Sequence, residues 1–523
     1  MPQDYEFSDY EPVTSSKRSA EKAPHLHEDW KEVNRDGLRT ADSHSKSQDQ
    51  SEPLNPISKT EPIQNGKSLG KVLKKEVLAR GHGLTYASLF LFTAVLFFRP
   101  YELFTALSGL TSLAFWIGVV TIAIFFPSQL ALEGSITARP REVSLILLLA
   151  ALALLSIPLA INPGEAWLTF SDTFVRAVLI FIVLVNVVRT ERSLYGLMFL
   201  SIGVACLLSI GAIDDFRMGN FAQQGKRILG LVGGMFGNPN DLALHLATMF
   251  PLVVAIFLGR RNLFIKVLCA ISAVLMVGAI MATFSRGGFL ALLGAALALT
   301  WKLGRRQRFL TMTVALIAIG AFIVFAPGGY LQRILSIFGL AADPLGSAAA
   351  RQNLLSHSLY TAFRNPLGIG MGNYHIVAAR EAVSHNAYTQ VAAELGLAAV
   401  VVYVMFIVSP IKRLRRIERE SYEYWQAKDT SNNEFAKRSH FIAIGLQASL
   451  VAYMIGSFFA SVAYQWYVYY LVGYSVCLYR IYASTVGLPE IEDKKRSRSK
   501  NVDRDFNDRL EEATRRTTKV TPA

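Results

Sequence analysis

The chain has 523 residues, 52% of them hydrophobic and 18% charged, with a formal net charge of +14. Its mean hydropathy of +0.32 is reached although both ends are polar, which excludes an ordinary soluble domain and points to an all-α, polytopic helical membrane protein. Cys206, Cys269 and Cys477 all fall inside apolar runs, without disulfide or zinc spacing, and read as small core hydrophobes.

Residues 1–80 are rich in Ser, Asp, Glu, Lys and Gln and show no periodicity, so they are expected to form a disordered tail. They place no apolar run behind a basic start, which argues against a cleaved signal peptide. The membrane domain, 81–484, holds 12 apolar stretches, near 84–98, 103–126, 143–161, 174–188, 194–213, 241–258, 262–283, 287–302, 309–327, 386–411, 441–460 and 464–483. Residues 485–523 form a basic tail containing "KKRSRSK", the kind of cluster that meets anionic lipid or marks the cytoplasmic side, not one that reads nucleic acid.

Positive residues set the orientation. Arg139 and Arg141, Arg189 and Arg192, Arg260 and Arg261, the group Lys302, Arg305, Arg306 and Arg308, and "KRLRR" in the 412–440 loop all fall on one side. The alternate connections carry Arg99, nothing in 162–173, and Arg286. The positive-inside rule therefore puts both termini in the cytoplasm, with loops 214–240 and 328–385 and the tetrapeptide Ser285-Arg286-Gly287-Gly288 outside.

The first outer loop carries Lys226-Arg227, then a glycine-rich stretch and "NPND", in which Asn240 or Asp241 is expected to cap the next helix. "GNFAQQGKR" has the wrong spacing and the wrong side for a nucleotide phosphate loop. The second outer loop lies between the ninth and tenth spans. It is expected to hold helices over 327–340 and 350–366, and then a Gly368-x-Gly370-x-Gly372 turn. His385 and Asn386 lead into the tenth span, and Glu394 lies nine residues on, on a similar helical face. His357 and His375 read as loop structure, and an intramembrane carboxylate such as Glu394, within the tenth span, is a functional candidate by default.

Four segments, "MFGNPNDLA", "ATFSRGGFLA", "NPLGIGMGNYH" and "SHNAYTQVAAELG", occur in this order within residues 220–411. Together they resemble the O-antigen ligase/polymerase superfamily. The "GLAA" after Glu394 lacks the second glycine that ligases often carry. The resemblance implies a glycosyltransferase of the bacterial inner membrane that moves a glycan from undecaprenyl diphosphate to an acceptor hydroxyl, on lipid A core or on another lipid-linked repeat. It implies that Arg227 and Arg286 contact the donor diphosphate and that His385 activates the acceptor; Arg351 is the further donor contact chosen from its loop, with Asn386, Glu394 and Asn240 in support. No metal or other cofactor is expected, since the outer loops lack a clear Asp-x-Asp and arginines can compensate the phosphate charge. A 12-span transporter is the other class compatible with the span count, but no matching pair of broken helices marks two halves.

Overall fold

The computed structural model describes residues 81–221, 236–304, 330–335, 347–378, 382–426 and 433–486, with a few isolated positions between them. Among them all regular structure is helical, beyond a single antiparallel bridge between Phe221 and Ile228. The long helices are α1 (Gly83–Phe98), α2 (Leu113–Glu133), α3 (Arg141–Ser156), α4 (Pro163–Val187), α5 (Glu191–Met218), α6 (Pro239–Gly259), α7 (Leu263–Ala282) and α8 (Arg286–Leu303). They are followed by α9 (Ser347–Arg364), α10 (Ala387–Leu395), α11 (Leu397–Gln426), α12 (Asn433–Gly456) and α13 (Trp466–Val486).

Ten helices among the described residues are long and apolar enough to cross a membrane. The expected ninth span, 309–327, lies almost wholly outside the described residues, as do the tails 1–80 and 487–523. The expected twelfth span is α13, a buried helix whose six tyrosines lower its hydropathy. Three of those phenols are accommodated by hydrogen bonds: Tyr470 bonds Thr93 at 2.8 Å, Tyr474 bonds Ser201 at 2.8 Å, and Tyr469 donates to the Ala463 carbonyl at 2.8 Å. α13 is thus amphipathic by atom, not by face.

Two boundaries differ from the sequence expectation. Residues 163–173 are helical, because Pro163 fits the first turn and Asn162 caps it by accepting the Glu165 N–H at 3.2 Å. The fourth span therefore starts eleven residues early, at 163 instead of 174, and passes through a π-turn over Phe170–Phe174. The expected tenth span is broken at Gly396, whose φ of +94° separates α10 from α11.

Contacts between connections respect one alternation. At one end, the Ile161 N–H meets Ile369 O at 3.0 Å, the Asn162 N–H meets Asn373 Oδ1 at 2.6 Å, and the Gly233 N–H meets Glu102 Oε2 at 2.6 Å. At the other end, Arg189 pairs with Glu133, Arg413 with Glu142 at 2.6 Å, Lys302 with Glu418 at 2.6 Å and Arg438 with Glu191. Reporter fusions at positions 225 and 350 are expected to read as periplasmic and those at 305 and 425 as cytoplasmic. A cytoplasmic signal at 350 would reverse the orientation.

Candidate functional site

Two helices begin side by side at the end carrying the large connections. Asn238, not Asn240 or Asp241, caps α6: its side chain accepts the Asn240 N–H at 2.8 Å, and Pro239, which has no N–H to satisfy, takes the first helical position. The Asn240 side chain is left for another task, and its Oδ1 accepts the Ser285 hydroxyl at 3.0 Å. Ser285 in turn caps α8 by accepting the Gly288 N–H at 3.1 Å, which makes the half-buried Arg286 the first residue of that helix. A Cβ at residue 288 would lie 2.4 Å from the Ala243 Cβ, so glycine is what lets α8 start against α6. Phe284, just before the cap, holds a left-handed φ of +52°.

His385 is not part of a helix. Its φ is +53°, and its N–H donates to Ser461 Oγ at 2.8 Å. The expectation that His385 and Glu394 share nearly one helical face is therefore corrected, because the helix starts only after the cap at Asn386. Asn386 Oδ1 accepts the Tyr388 N–H at 2.9 Å and the Thr389 N–H at 3.1 Å. The turn is locked from behind: Ser384 Oγ donates to Asn386 O at 3.0 Å, and Ser358 on α9 reaches Thr389 Oγ1 at 2.9 Å.

Glu394 is 3% exposed and accepts the Tyr464 hydroxyl at 2.8 Å. It lies in the nine-residue α10, outside the helices long enough to cross a membrane. Burial raises its pKa to about 7, opposed by hydrogen bonds from the Gly372 backbone, Tyr464, the Tyr374 backbone and Gln390. Its carboxyl thus pins the glycine turn. That turn lies along the α10–α11 break, with the Gly370 N–H on Glu394 O at 2.9 Å and the Leu397 N–H on Pro366 O at 3.0 Å. Gly368, Gly370 and Gly372 all have left-handed φ, +87°, +97° and +77°, as the spacing predicts. His357 and His375, expected as loop residues, are both helical, His357 on α9 and His375 in the short turn Tyr374–Val377: His375 Nδ1 bonds Gly372 O at 2.8 Å and His357 Nδ1 bonds Tyr374 at 3.2 Å. Burial pushes the Tyr374 phenol up to about 12, so it stays a donor to Leu354 O at 3.1 Å.

Arg351 is placed by α9. Ser358 on this helix meets Thr389, and Ala362 packs with Ala392 and Ala393, so α9 and α10 run in the same direction. Arg351 lies seven residues before Ser358, hence on the same helical face and about 10 Å along the axis, beyond the start of α10 where the His385 turn sits. Arg227 lies outside the described residues. Its neighbour Ile228 pairs with Phe221, whose ring meets Phe216, which meets Phe284.

One short connection, 457–465 between α12 and α13, touches the starts of α8 and α10, the His385 turn and Glu394. Phe459 abuts Gly287, where a Cβ would come within 2.8 Å of its own; Ser461 takes the His385 N–H; Tyr464 holds Glu394; and Ser457 donates to Tyr388 at 3.2 Å. None of these residues stood out in "SFFASVAYQ", where serines between two apolar runs signal only a helix end. Among the described residues, no three His, Cys, Asp or Glu side chains come together as metal ligands.

Residues 271–404 match the family model described as O-Antigen ligase. The match bears out the resemblance to the O-antigen ligase/polymerase superfamily, and it takes in Arg286, Arg351, His385, Asn386 and Glu394. It points to glycosyl transfer in general, with lipid-linked glycans as substrates in a membrane setting. No curated protein matches the chain.

The glycine turn makes a direct test of this scaffold. A Cβ at residue 368 would lie 2.4 Å from Glu394 O at a φ that side chains avoid. Gly368→Ala is expected to cost roughly 1–3 kcal/mol, read as a lower melting temperature in detergent. An unchanged melting temperature would mean that the turn is not held where it is described.

Proposed function

We propose that the chain transfers a glycan from undecaprenyl diphosphate to an acceptor hydroxyl at the periplasmic face, as an O-antigen ligase or a polymerase of O-antigen or exopolysaccharide. The observation that carries this reading is the shared brace. Arg286 opens α8 and His385 sits on its locked turn, and the 457–465 connection supports both. A cation and an imidazole held on one rigid support suit a reaction in which phosphate leaves while a hydroxyl is activated.

The acceptor oxygen attacks the anomeric carbon as the bond from that carbon to the phosphate oxygen breaks. The hydroxyl proton passes to His385, and the electron pair of the broken bond leaves with undecaprenyl diphosphate. A single displacement inverts the anomeric centre. Negative charge grows on the departing diphosphate, where a guanidinium can hold two oxygens at once. Arg286 has this role, with Arg227 and Arg351 as further contacts, and arginines take the place of a divalent cation. The adjacent N-termini of α6 and α8 add aligned backbone dipoles of the right sign, with Asn240 and Ser285 joining the two helices. Asn386 and Glu394 support the chemistry from behind, by setting the His385 turn and the glycine turn.

Backbone strain supports the same location. Among the described residues, three non-glycine residues have left-handed φ, Arg99, Phe284 and His385, and all three lie in connections at this end.

Arg286→Lys is expected to lose transfer nearly as completely as Arg286→Ala, because lysine keeps the charge without the planar fork. A fully active lysine variant would reduce Arg286 to an interfacial anchor. For the base, His385→Ala is expected to lower turnover on the order of 10²–10⁴-fold while protein level and binding of lipid-linked donor persist. His385→Gln should be as inactive, since an amide cannot take the proton. An active glutamine variant would remove His385 from the mechanism.

A further inference from the structure

α4 carries a charged feature that the glycosyl-transfer reading does not use. Its π-turn places Phe170 and Phe174 inward, and Phe174 packs edge-on to Tyr464 and Tyr469. Asp172 and Arg176 point the other way and form an ion pair, yet their side chains stay 58% and 40% exposed on a helix long enough to cross a membrane. The Arg176 guanidinium lies 4.7 Å from the centre of the Phe115 ring, in the first turn of α2, next to the exposed Trp116. An aromatic pair at a helix start marks the level of lipid headgroups. Above that level, the first turns of α4 carry the outer glycine turn, with Ala166 and Thr169 against Gly370 and Gly372.

We infer that Asp172 and Arg176 form a binding site for the headgroup of a zwitterionic phosphoethanolamine lipid in the leaflet nearest Pro163. The charge order fits this ligand. Asp172 lies one turn, about 6 Å, closer to the Pro163 end than Arg176, so the anion is shallow and the cation deep. In phosphoethanolamine the phosphate is the deeper group and the ammonium the shallower one. Arg176 meets the phosphate and Asp172 accepts from the ammonium, while the pair itself has no net charge with which to prefer an anionic lipid. At the headgroup level marked by Phe115 and Trp116, the exposed faces of this ion pair are met by headgroup atoms. The π-turn fits the same picture, since such turns recur at functional positions.

The test uses the full chain in vesicles holding equal amounts of dioleoyl phosphatidylethanolamine and dioleoyl phosphatidylglycerol, with co-purified lipid counted by native mass spectrometry. The wild type is expected to retain phosphatidylethanolamine about threefold over phosphatidylglycerol, the scale of one exposed charge contact. The double variant Asp172→Arg, Arg176→Asp keeps an intrahelical pair but inverts its polarity, so it should lose the preference. Asp172→Asn folds with one charge fewer and should shift retention toward phosphatidylglycerol. Equal retention of the two lipids by the wild type, a preference that survives inversion, or unchanged selectivity in Asp172→Asn would each overturn the assignment.

Discussion

Hydrogen bonding across broken helices is the constraint on which the rest of this architecture rests. A helix that stops within a bundle leaves N–H and C=O groups that lipid cannot satisfy. The chain stops helices repeatedly at one end and meets the debt with other stops. The Leu397 N–H goes to Pro366 O, the Ile369 N–H to Ala393 O, the Gly370 N–H to Glu394 O and the His385 N–H to Ser461. Each connection is therefore half of another's hydrogen bonding. The 457–465 segment takes one of these links at Ser461 and adds contacts to Gly287, Glu394 and Tyr388, which is why the arginine turn and the histidine turn are held by one piece of chain.

The opposite end is built from a different chemistry. Glu142 is fully buried and receives Arg413 at 2.6 Å and Ser409 at 2.8 Å, tying α3 to α11. Lys302, Glu418 and Gln447 form a second such knot between α8, α11 and α12. Removing one member of a buried pair of this kind leaves an uncompensated charge and costs about 3–5 kcal/mol. Charged knots between helices fix one end, while backbone hydrogen bonds, helix caps and close glycine contacts shape the other.

Much of the fold was legible in the sequence because apolar length and positive charge are one-dimensional signals. The Gly368-x-Gly370-x-Gly372 turn was legible for a related reason: only glycine tolerates such φ values in series. The helix over 163–173 was missed because Pro163, Gly164 and Ser171 read as loop residues, while the feature that makes them helical, the Asn162 cap, is a single side chain. The break at Gly396 was missed because one glycine in an apolar run looks the same bent or straight. At the site, Arg286 and His385 were readable as unusual residues in unusual places. Ser461, Tyr464 and Phe459 were not, since their importance lies in contacts made across more than sixty residues of chain.

The left-handed backbone at Phe284 and His385 has a consequence for how such a sequence drifts. A residue with a Cβ at this φ costs about 1 kcal/mol that glycine avoids and asparagine partly relieves. Selection for abundance alone would carry both positions toward glycine or asparagine. Phenylalanine at 284 answers to its ring contacts with Phe216 and Tyr330, and histidine at 385 is the residue proposed to take the acceptor proton. A lineage that no longer needed the proton transfer would be free to relax the strained backbone at 385, while the ring contacts would still hold phenylalanine at 284.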